Sequence, residues 1–215
     1  ADGKKYNTDM LDSAGIIELS KSFPNNKAMK FLDWFLYSDT SIDGQSKKKA
    51  YTLFESNLIN EFEVGTTRGL QQIHAYLFGG LYDFAGQIRE KSISKGGYRF
   101  VYAQHLKSTF QQIDALPQIT LEEIISKYVQ MNKAHPFMEG NGRSTRIWLD
   151  MMLKKHLKKC VDWSKIKKEN YMNAMIISIV DSSVLMQLIK TAQTAKINDR
   201  EMFMKGIDYS YYYEE

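Results

Sequence analysis

Apolar residues recur every three to four positions along most of the chain, which is the spacing of amphipathic helices. This period is followed by Leu70, Ile73, His74, Leu77 and Leu81, and again by Leu121, Ile124, Ile125 and Tyr128. Further helices are predicted from about Asn141 to Cys160, from Tyr171 to Ile179 and from Ser183 to Thr194. Because the chain has only 3 prolines, long helices can continue without interruption.

Local signals mark both ends of the helix that contains Leu121. Thr120 and Glu123 form the pattern of a capping box, which predicts the helix start. Pro136 disfavours helical geometry at the residue before it, so the helix is expected to end there. One β-hairpin is predicted at residues 93–101, where Ser94-Lys95-Gly96-Gly97 lies between short β-prone stretches. The predicted fold class is therefore mainly α with one β-hairpin.

The first 46 residues differ in texture from the rest, being rich in Ser, Asn and Lys around an apolar segment at residues 31–35. Asp43-Gly44 is interpreted as a turn or linker. The predicted organisation is an N-terminal extension at residues 1–46, a core domain at 47–197 and a C-terminal helical region at 198–215.

Composition restricts the class of protein. The chain has 215 residues, 43% of them hydrophobic, and a formal net charge of +4. That charge does not call for nucleic acid, and the basic run Lys47–Lys49 is best explained as a solvated helix face. No apolar run approaches the roughly 18 residues of a membrane span. The chain opens on Ala1-Asp2-Gly3-Lys4 without a secretory signal, so a fragment of a cytoplasmic protein is expected.

The chain's single cysteine, Cys160, excludes an internal disulfide and fits a reducing compartment. Its helical spacing from Leu153 and Leu157 favours a small buried residue over a nucleophile. The other histidines, His74, His105 and His156, have no neighbouring ligand spacing, so a zinc site is not expected.

The most informative stretch is His135 to Arg146, read His-Pro-Phe-Met-Glu-Gly-Asn-Gly-Arg-Ser-Thr-Arg. A histidine ends one helix, and a glycine-containing loop leads to the start of the next, where free amides and the helix dipole favour anions. Arg143 and Arg146 lie on one helix face, and two cations above an amide cradle suit a polyphosphate. Glu139 can hold Mg²⁺ on such phosphates, and His135 is a candidate base.

Each of these features alone has an ordinary structural explanation. Gly-Asn-Gly is usually a turn, and a histidine at a helix end is usually a cap or a core residue. Their combination within 12 residues favours a polyphosphate site. The stretch contains no P-loop pattern, and the loop joins two helices, which excludes a dinucleotide-binding fingerprint.

The stretch resembles the signature of the Fic family, His-Pro-Phe-x-(Asp/Glu)-Gly-Asn-Gly-Arg-x-x-Arg, at every defined position. The resemblance extends from about Lys47 to the end of the chain. Residues 81–89 resemble the helix and turn that precede the family's hairpin, and residues 93–100 resemble the hairpin itself, called the flap. The first 46 residues lie outside it.

The resemblance implies transfer of AMP from ATP to a tyrosine, serine or threonine hydroxyl of a target protein. It implies that His135 is the base and that Glu139 holds Mg²⁺ or Mn²⁺. The nucleotide would be bound by Gly140, Asn141, Gly142, Arg143 and Arg146, with Phe137 anchoring the loop. The phosphate-transferring branch of the family has Lys at the position of Gly142 and Ala at that of Gly140, so the two glycines favour AMP transfer.

The flap, represented by Ser94, Lys95, Gly96 and Gly97, is expected to bind an extended target segment through main-chain hydrogen bonds. An ordinary surface hairpin is the alternative. Similar short bacterial proteins modify type II topoisomerase subunits, so such a subunit is the expected target by resemblance. A homo-oligomer is also expected.

The C-terminal sequence reads Ser210-Tyr211-Tyr212-Tyr213-Glu214-Glu215. Ser210 and Glu214 share a helix face, and at least one of three consecutive tyrosines should be accessible. A packed terminal helix is the plain explanation. The resemblance implies instead the family's inhibitory motif, Ser/Thr-x-x-x-Glu followed by Gly or Asn, in which Glu214 pairs with Arg146. Glu215 departs from that pattern, and Tyr211, Tyr212 and Tyr213 are candidates for self-modification.

Two other functions remain open. One keeps the fold and changes the reaction, to removal of AMP or transfer of another phosphoryl or nucleotidyl group. The other is a catalytically idle interaction module of a toxin–antitoxin or signalling pair. That alternative predicts a degraded signature, whereas His135, Glu139 and Arg143 are all present.

Overall fold

The computed structural model describes residues 39–214. The apolar segment at residues 31–35, and with it most of the predicted N-terminal extension, lies outside these residues. By its internal contacts the chain divides between Thr40 and Ser41, and the unit that begins at Ser41 contains all the elements described below.

The described residues are mainly helical. The helices are α1 Ile42–Glu55, α2 Thr67–Phe78, α3 Leu106–Ala115, α4 Leu121–Ala134, α5 Asn141–Leu157, α6 Lys168–Ile177, α7 Ser183–Ala192 and α8 Arg200–Tyr212. Two short antiparallel pairs are formed by β1 Ser94–Lys95 with β2 Tyr98–Arg99, and by β3 Cys160–Val161 with β4 Gln193–Thr194. Short 3₁₀ turns occupy Leu58–Glu61, Ala103–His105 and Trp163–Lys165.

Helix α5 lies at the centre and contacts α2, α4 and α8. Its side chains Trp148, Leu149, Met152 and Leu153 are fully buried. The indole of Trp148 donates to the carbonyl oxygen of Thr66 (3.0 Å), which satisfies its one polar atom. Because α5 is enclosed on several sides, the residues of its first turn are held in a fixed position.

Two predicted boundaries are confirmed. The Thr120 hydroxyl accepts from the Glu123 amide (3.3 Å), and the Glu123 carboxylate accepts from the Thr120 amide (2.9 Å), which completes the capping box. Helix α4 ends at Ala134, two positions before Pro136. The hairpin is also confirmed, with Ser94 opposite Arg99 and Lys95 opposite Tyr98. Gly96 and Gly97 form its turn at φ values of 57° and 79°, which glycine adopts without steric cost.

The turn or linker predicted at Asp43-Gly44 is wrong, because both residues belong to the first turn of α1. The Ser41 side chain caps this helix by accepting from the Gly44 amide (3.0 Å), and Asp43 complements the positive end of the helix dipole. Helix α1 continues through residue 46 without a break.

The helix predicted to reach Cys160 ends earlier, at Leu157, because Lys158 takes a left-handed conformation with φ 55°. Cys160 instead lies in β3 opposite Thr194, which was predicted to end a helix. It is buried, as expected, and burial raises the pKa of its thiol to about 12. A neutral thiol at neutral pH fits a packing residue and not a nucleophile.

Among the described residues, no helix combines the length and the apolar character that crossing a membrane requires.

The capping box gives a prediction about stability. Thr120→Ala removes one half of the box, so the free energy of unfolding should fall by about 1 kcal/mol. Urea unfolding measures the change. The control Thr52→Ala removes an exposed hydroxyl inside α1 and should alter stability by less than about 0.5 kcal/mol. Equal unfolding midpoints for Thr120→Ala and the parent would contradict the role of the cap.

Candidate active site

The loop that joins α4 to α5 contains His135, Glu139 and Gly140, and the first turns of α5 carry the predicted nucleotide-binding residues Asn141, Gly142, Arg143 and Arg146. His135 is the C-cap of α4 in a left-handed conformation with φ 50°, and Pro136 prevents the helix from continuing. Gly140, at φ 77°, is the N-cap of α5. The loop therefore places an imidazole beside a helix N-terminus, where the first amides have no partner within the helix.

His135 is partly buried, and its ring stacks on that of Phe100 with centroids 3.8 Å apart. Burial lowers the pKa of His135 to about 4, with smaller contributions from the cations Lys95 and Arg89. Its Nδ1 has no hydrogen-bond partner within residues 39–214. The imidazole is therefore neutral at neutral pH and able to accept a proton.

Two glycines at the start of α5 differ in how strictly their surroundings require glycine. A Cβ at Gly140 would lie 2.4 Å from the Phe78 ring, and the positive φ there strains any other residue. A Cβ at Gly142 would lie 2.1 Å from a carboxylate oxygen of Glu214. Because that oxygen is the end of a flexible side chain, the contact restricts residue 142 only while Glu214 keeps this position.

The Asn141 side chain holds the loop together. Its amide oxygen accepts from the Phe137 amide (2.9 Å), and its amide nitrogen donates to the Phe137 carbonyl (2.8 Å). Both polar atoms are thus engaged inside the loop, so Asn141 can offer a phosphate its main-chain amide. Phe137 is fully buried, in agreement with the predicted anchor.

His74 supports the same loop from α2, a role that sequence reasoning missed. It is fully buried, and its ring stacks on Phe137 at 3.7 Å. Its Nδ1 accepts from the Gly86 amide (2.8 Å), so its Nε2 carries the proton and donates to the Glu139 carbonyl (2.9 Å). The only signal in the sequence is a histidine on a helix face that is otherwise apolar.

Arg143 is buried and paired with two carboxylates. Its guanidinium bonds the Glu139 carboxylate (3.0 Å) and that of Asp43, in the first turn of α1. It also lies over the Phe78 ring, 4.8 Å from the centroid. Asp43 was interpreted as part of a linker, so its contact with the site was not foreseen.

Arg146 is bound by Ser210 in the last turn of α8 and by Glu214 in the turn that follows this helix. Its Nε donates to the Ser210 hydroxyl (2.7 Å), and its Nη2 donates to the Ser210 carbonyl (2.6 Å) and the Glu214 carboxylate (2.5 Å). Burial opposes ionisation of Glu214, but Arg146, with smaller contributions from Arg143 and Lys95, outweighs it, so the pKa of this carboxyl is lowered. Ser210 and Glu214 thus accept the hydrogen bonds of Nε and Nη2 of Arg146. Glu215 lies outside the described residues.

The three adjacent tyrosines differ in exposure. Tyr211 and Tyr213 are 7% and 3% exposed, whereas Tyr212 is 48% exposed. The Tyr211 hydroxyl donates to Ser46 on α1 (2.9 Å), and that of Tyr213 donates to the Ile166 carbonyl (2.6 Å). One tyrosine is accessible, as expected.

The flap residues Ser94, Lys95, Gly96 and Gly97 are all exposed. The hairpin returns to the body of the domain at Val101, whose amide donates to the Lys133 carbonyl (3.2 Å) on α4. The flap is therefore attached to the helix that ends in His135.

Glu139 fits the ligand chemistry expected of a magnesium site. Its side chain is 54% exposed at the mouth of the loop, and one oxygen bonds the Gly140 amide (2.9 Å) and Arg143. Mg²⁺ on nucleotides is commonly held by one or two carboxylates together with the phosphates. No group of three or more His, Cys, Asp or Glu able to hold a metal occurs in the part of the chain that the structure describes.

Comparison with known proteins identifies the class. Residues 65–153 match the model of the Fic/DOC family. The chain is 29% identical over 173 residues to the protein adenylyltransferase VbhT of Bartonella schoenbuchensis, covering 70% of this chain and 36% of that protein. It is 24% identical over 143 residues to the probable protein adenylyltransferase Fic of Escherichia coli, covering 61% of this chain and 71% of that protein.

Solved structures show the same fold. The BepC protein of Bartonella tribocorum with bound AMPPNP superposes with a TM-score of 0.60 at 20% identity, covering 80% of this chain and 92% of that chain. The N-terminal Fic domain of a Bep effector from Bartonella quintana with bound ADP gives 0.60 at 18% identity, covering 71% and 83%.

This chain therefore contains a segment, residues 65–153, that is similar to the Fic/DOC family. It spans 36% of VbhT and 61% of the probable protein adenylyltransferase y4lH of Sinorhizobium fredii, with which it shares 29% identity over 118 residues.

The environment of His74 predicts a pH dependence of stability. Burial lowers the pKa of His74 to about 4. Between this value and the ordinary histidine pKa of about 6.5, the unfolded chain therefore binds a proton at His74 that the folded chain does not bind. The resulting stability is complete above about pH 6.5 and is lost as the pH falls towards about 4. Lowering the pH from about 7.5 to about 5 should cost about 2 kcal/mol through this residue.

Urea unfolding at both pH values measures the loss. His74→Gln keeps a donor and an acceptor but cannot be protonated, so its loss between the two pH values should be smaller. His105→Asn changes an exposed histidine and should keep the parental dependence. Identical losses in the parent and His74→Gln would refute the assignment.

Proposed function

We propose that this domain transfers AMP from ATP to a hydroxyl side chain of a target protein, with release of pyrophosphate. The observation that carries the proposal is the position of His135 beside the N-terminus of α5, together with two buried arginines on the first turns of that helix. The names of the related adenylyltransferases support the same activity.

His135 acts as the general base. A tyrosine hydroxyl has a pKa near 10 and is a weak nucleophile unless a base removes its proton. The neutral His135 accepts that proton while the hydroxyl oxygen bonds to the α-phosphorus of ATP. The bond from that phosphorus to the bridging oxygen then breaks, and its electrons leave with pyrophosphate.

The loop and α5 bind the phosphates. The amides at Gly140 to Gly142 face the charge that grows on the α-phosphoryl oxygens, and Arg143 and Arg146 bind the β- and γ-phosphates. Glu139 would hold Mg²⁺ or Mn²⁺, which neutralises phosphate charge when bound. The exposed edge of the flap at Ser94 to Gly97 holds an extended segment of the target.

The end of α8 and the turn that follows it inhibit this reaction. The Arg146 guanidinium donates its hydrogen bonds to Ser210 and Glu214, so a triphosphate must displace these two residues to contact the guanidinium. Asp43 and Glu139 hold Arg143 in the same way. Both phosphate-binding arginines must therefore give up their contacts with carboxylates of the protein before they can bind the nucleotide. This requirement disfavours binding of ATP in the position needed for transfer.

A different reaction on the same fold is the second candidate. Transfer of phosphate finds less support, because this chain has Gly140 and Gly142 where that branch has Ala and Lys. Removal of AMP would use the same loop, and incubation of an AMP-modified target with the protein distinguishes the two directions. An idle interaction module predicts no nucleotide turnover after the α8 contact is removed.

Removal of the Glu214 carboxylate should activate the protein. A charge-assisted hydrogen bond contributes roughly 1.5–3 kcal/mol, so Glu214→Gly should raise AMP transfer by about 10- to 150-fold. Transfer of label from α-labelled ATP to proteins of a bacterial lysate, with type II topoisomerase subunits as the first candidates, measures the change.

Size-exclusion chromatography of the same protein tests the expected homo-oligomer.

The control Glu201→Gly removes an exposed glutamate near the start of α8 that forms an ion pair with Lys205, and should leave transfer unchanged. Adding His135→Ala to Glu214→Gly should abolish labelling, since the base is lost. Labelling by Glu214→Gly no faster than by the parent would show that α8 does not inhibit, and unchanged labelling after His135→Ala would disprove the base.

Self-modification should occur at Tyr212 and not at its neighbours, because Tyr212 alone of the three is exposed. Glu214→Gly incubated with ATP and Mg²⁺ should gain one AMP by intact-mass analysis. Tyr212→Phe should remove the adduct, and Tyr211→Phe, which changes a buried residue, should keep it. No adduct in either protein, or an adduct that survives Tyr212→Phe, would contradict the assignment.

A further inference from the structure

Arg89 lies between the flap and the loop that carries His135. It is 4% exposed, and it forms no ion pair with a carboxylate among residues 39–214. Burying an arginine away from water without a counter-charge is costly unless hydrogen bonds satisfy its donors. The arrangement therefore needs an explanation in terms of the groups that Arg89 binds.

All the side-chain partners of Arg89 are main-chain carbonyls. Its Nε donates to His135 (2.7 Å), and its Nη2 donates to Ala134 (3.0 Å) at the end of α4. Its Nη1 donates to Lys91 (2.6 Å), and Nη2 also donates to Val101 (2.5 Å). One planar guanidinium thus joins the end of the catalytic helix to the residues that flank the hairpin on both sides.

The main chain of Arg89 adds to the same connection. Its amide donates to the Pro136 carbonyl (2.9 Å), so residue 89 contacts three consecutive carbonyls, those of residues 134–136. From the opposite side, the flap residue Phe100 stacks on the His135 ring. The left-handed His135 is therefore held by its carbonyl through Arg89 and by its ring through Phe100.

We infer that Arg89 is a positioning residue that fixes His135 relative to the flap, and so sets the distance between the base and the hydroxyl of a target bound there. The inference rests on the proposed function. A guanidinium suits this task because its donors are fixed in one plane, whereas an ammonium cannot reach four carbonyls in that geometry. Displacements of about 1 Å between reacting groups are enough to slow catalysis strongly.

A purely structural role is the competing explanation, since the last carbonyls of any helix need partners. The two roles predict different results. A helix cap affects stability and every activity together, whereas a positioning residue affects turnover and leaves ATP binding at α5 intact. The cationic Arg89 also contributes to the lowered pKa of His135, which gives a second, independent readout.

The test uses Arg89→Lys and Arg89→Met in the Glu214→Gly protein. Arg89→Lys keeps the charge and loses the planar fork, whereas Arg89→Met loses both. Both should lower kcat for AMP transfer at least about tenfold while the Kd for ATP changes less than about threefold. Arg68→Met, which removes an arginine that is 76% exposed on α2, should leave both quantities unchanged.

The pH profile separates charge from geometry. Removing a nearby cation raises the pKa of His135, so the acid limb of kcat/KM should move to higher pH in Arg89→Met and stay in place in Arg89→Lys. NMR titration of the His135 ring should show the same difference without any turnover. Phe100→Leu breaks the contact from the flap side and should also lower kcat with ATP binding retained. The Phe100→Leu variant provides the test if the Arg89 variants do not fold.

Unchanged kcat in a folded Arg89 variant, or loss of ATP binding in parallel with kcat, would overturn the inference. If the Arg89 variants do not fold, unchanged kcat in Phe100→Leu would do the same. An inactive Glu214→Gly protein would instead count against the proposed function. The NMR titration would then still show whether Arg89 affects the protonation of His135.

Discussion

The loop between α4 and α5 keeps its shape because buried polar side chains bind its main chain. Arg89 binds the carbonyls of Ala134 and His135, the Asn141 side chain binds Phe137 at both main-chain atoms, and His74 binds the Glu139 carbonyl. A buried carbonyl or amide without a partner is costly, so these bonds favour a single path for the loop. The imidazole of His135, the helix N-terminus and the two arginines acquire fixed relative positions as a consequence.

The same rigidity supports the proposed inhibition of the site by a distant part of the chain. Because Arg143 and Arg146 cannot move far, any carboxylate that reaches them competes directly with phosphate. The turn that follows α8 supplies Glu214, and the start of α1 supplies Asp43. These two helices are connected to each other by Lys47 with Asp208 (2.5 Å) and by Tyr211 with Ser46 (2.9 Å). The proposed inhibition therefore depends on how firmly α1 and α8 are held against α5.

Much of this arrangement could be predicted from the sequence where the signal was local. The capping box at Thr120, the end of α4 before Pro136 and the two-glycine turn of the flap each depend on residues within a few positions. The accessible tyrosine followed from helix geometry alone. In contrast, the end of α5 at Leu157 was not predicted. The helix ends there because Lys158 takes a left-handed conformation, and a lysine in the sequence does not indicate this conformation.

The missed parts of the candidate site depend on tertiary contacts. Asp43 was assigned to a linker, because Asp-Gly is common in turns, yet the Ser41 cap makes it part of a helix that reaches Arg143. His74 looked like one position on an apolar face, and its two hydrogen bonds are to residues that follow it by 12 and 65 positions. The importance of Arg89 depends on four carbonyls from three separate segments. Such partners cannot be inferred from periodicity or from local motifs.

The most direct test of the account is a crystal structure of the Glu214→Gly protein with Mg²⁺ and a non-hydrolysable ATP analogue. The account predicts the triphosphate in the loop between α4 and α5, with its α-phosphate at the amides of the α5 N-terminus and the distal phosphates on Arg143 and Arg146. It also predicts that the His135 ring faces the α-phosphorus from the side of the flap. A loop that remains empty, or a nucleotide bound elsewhere, would contradict it.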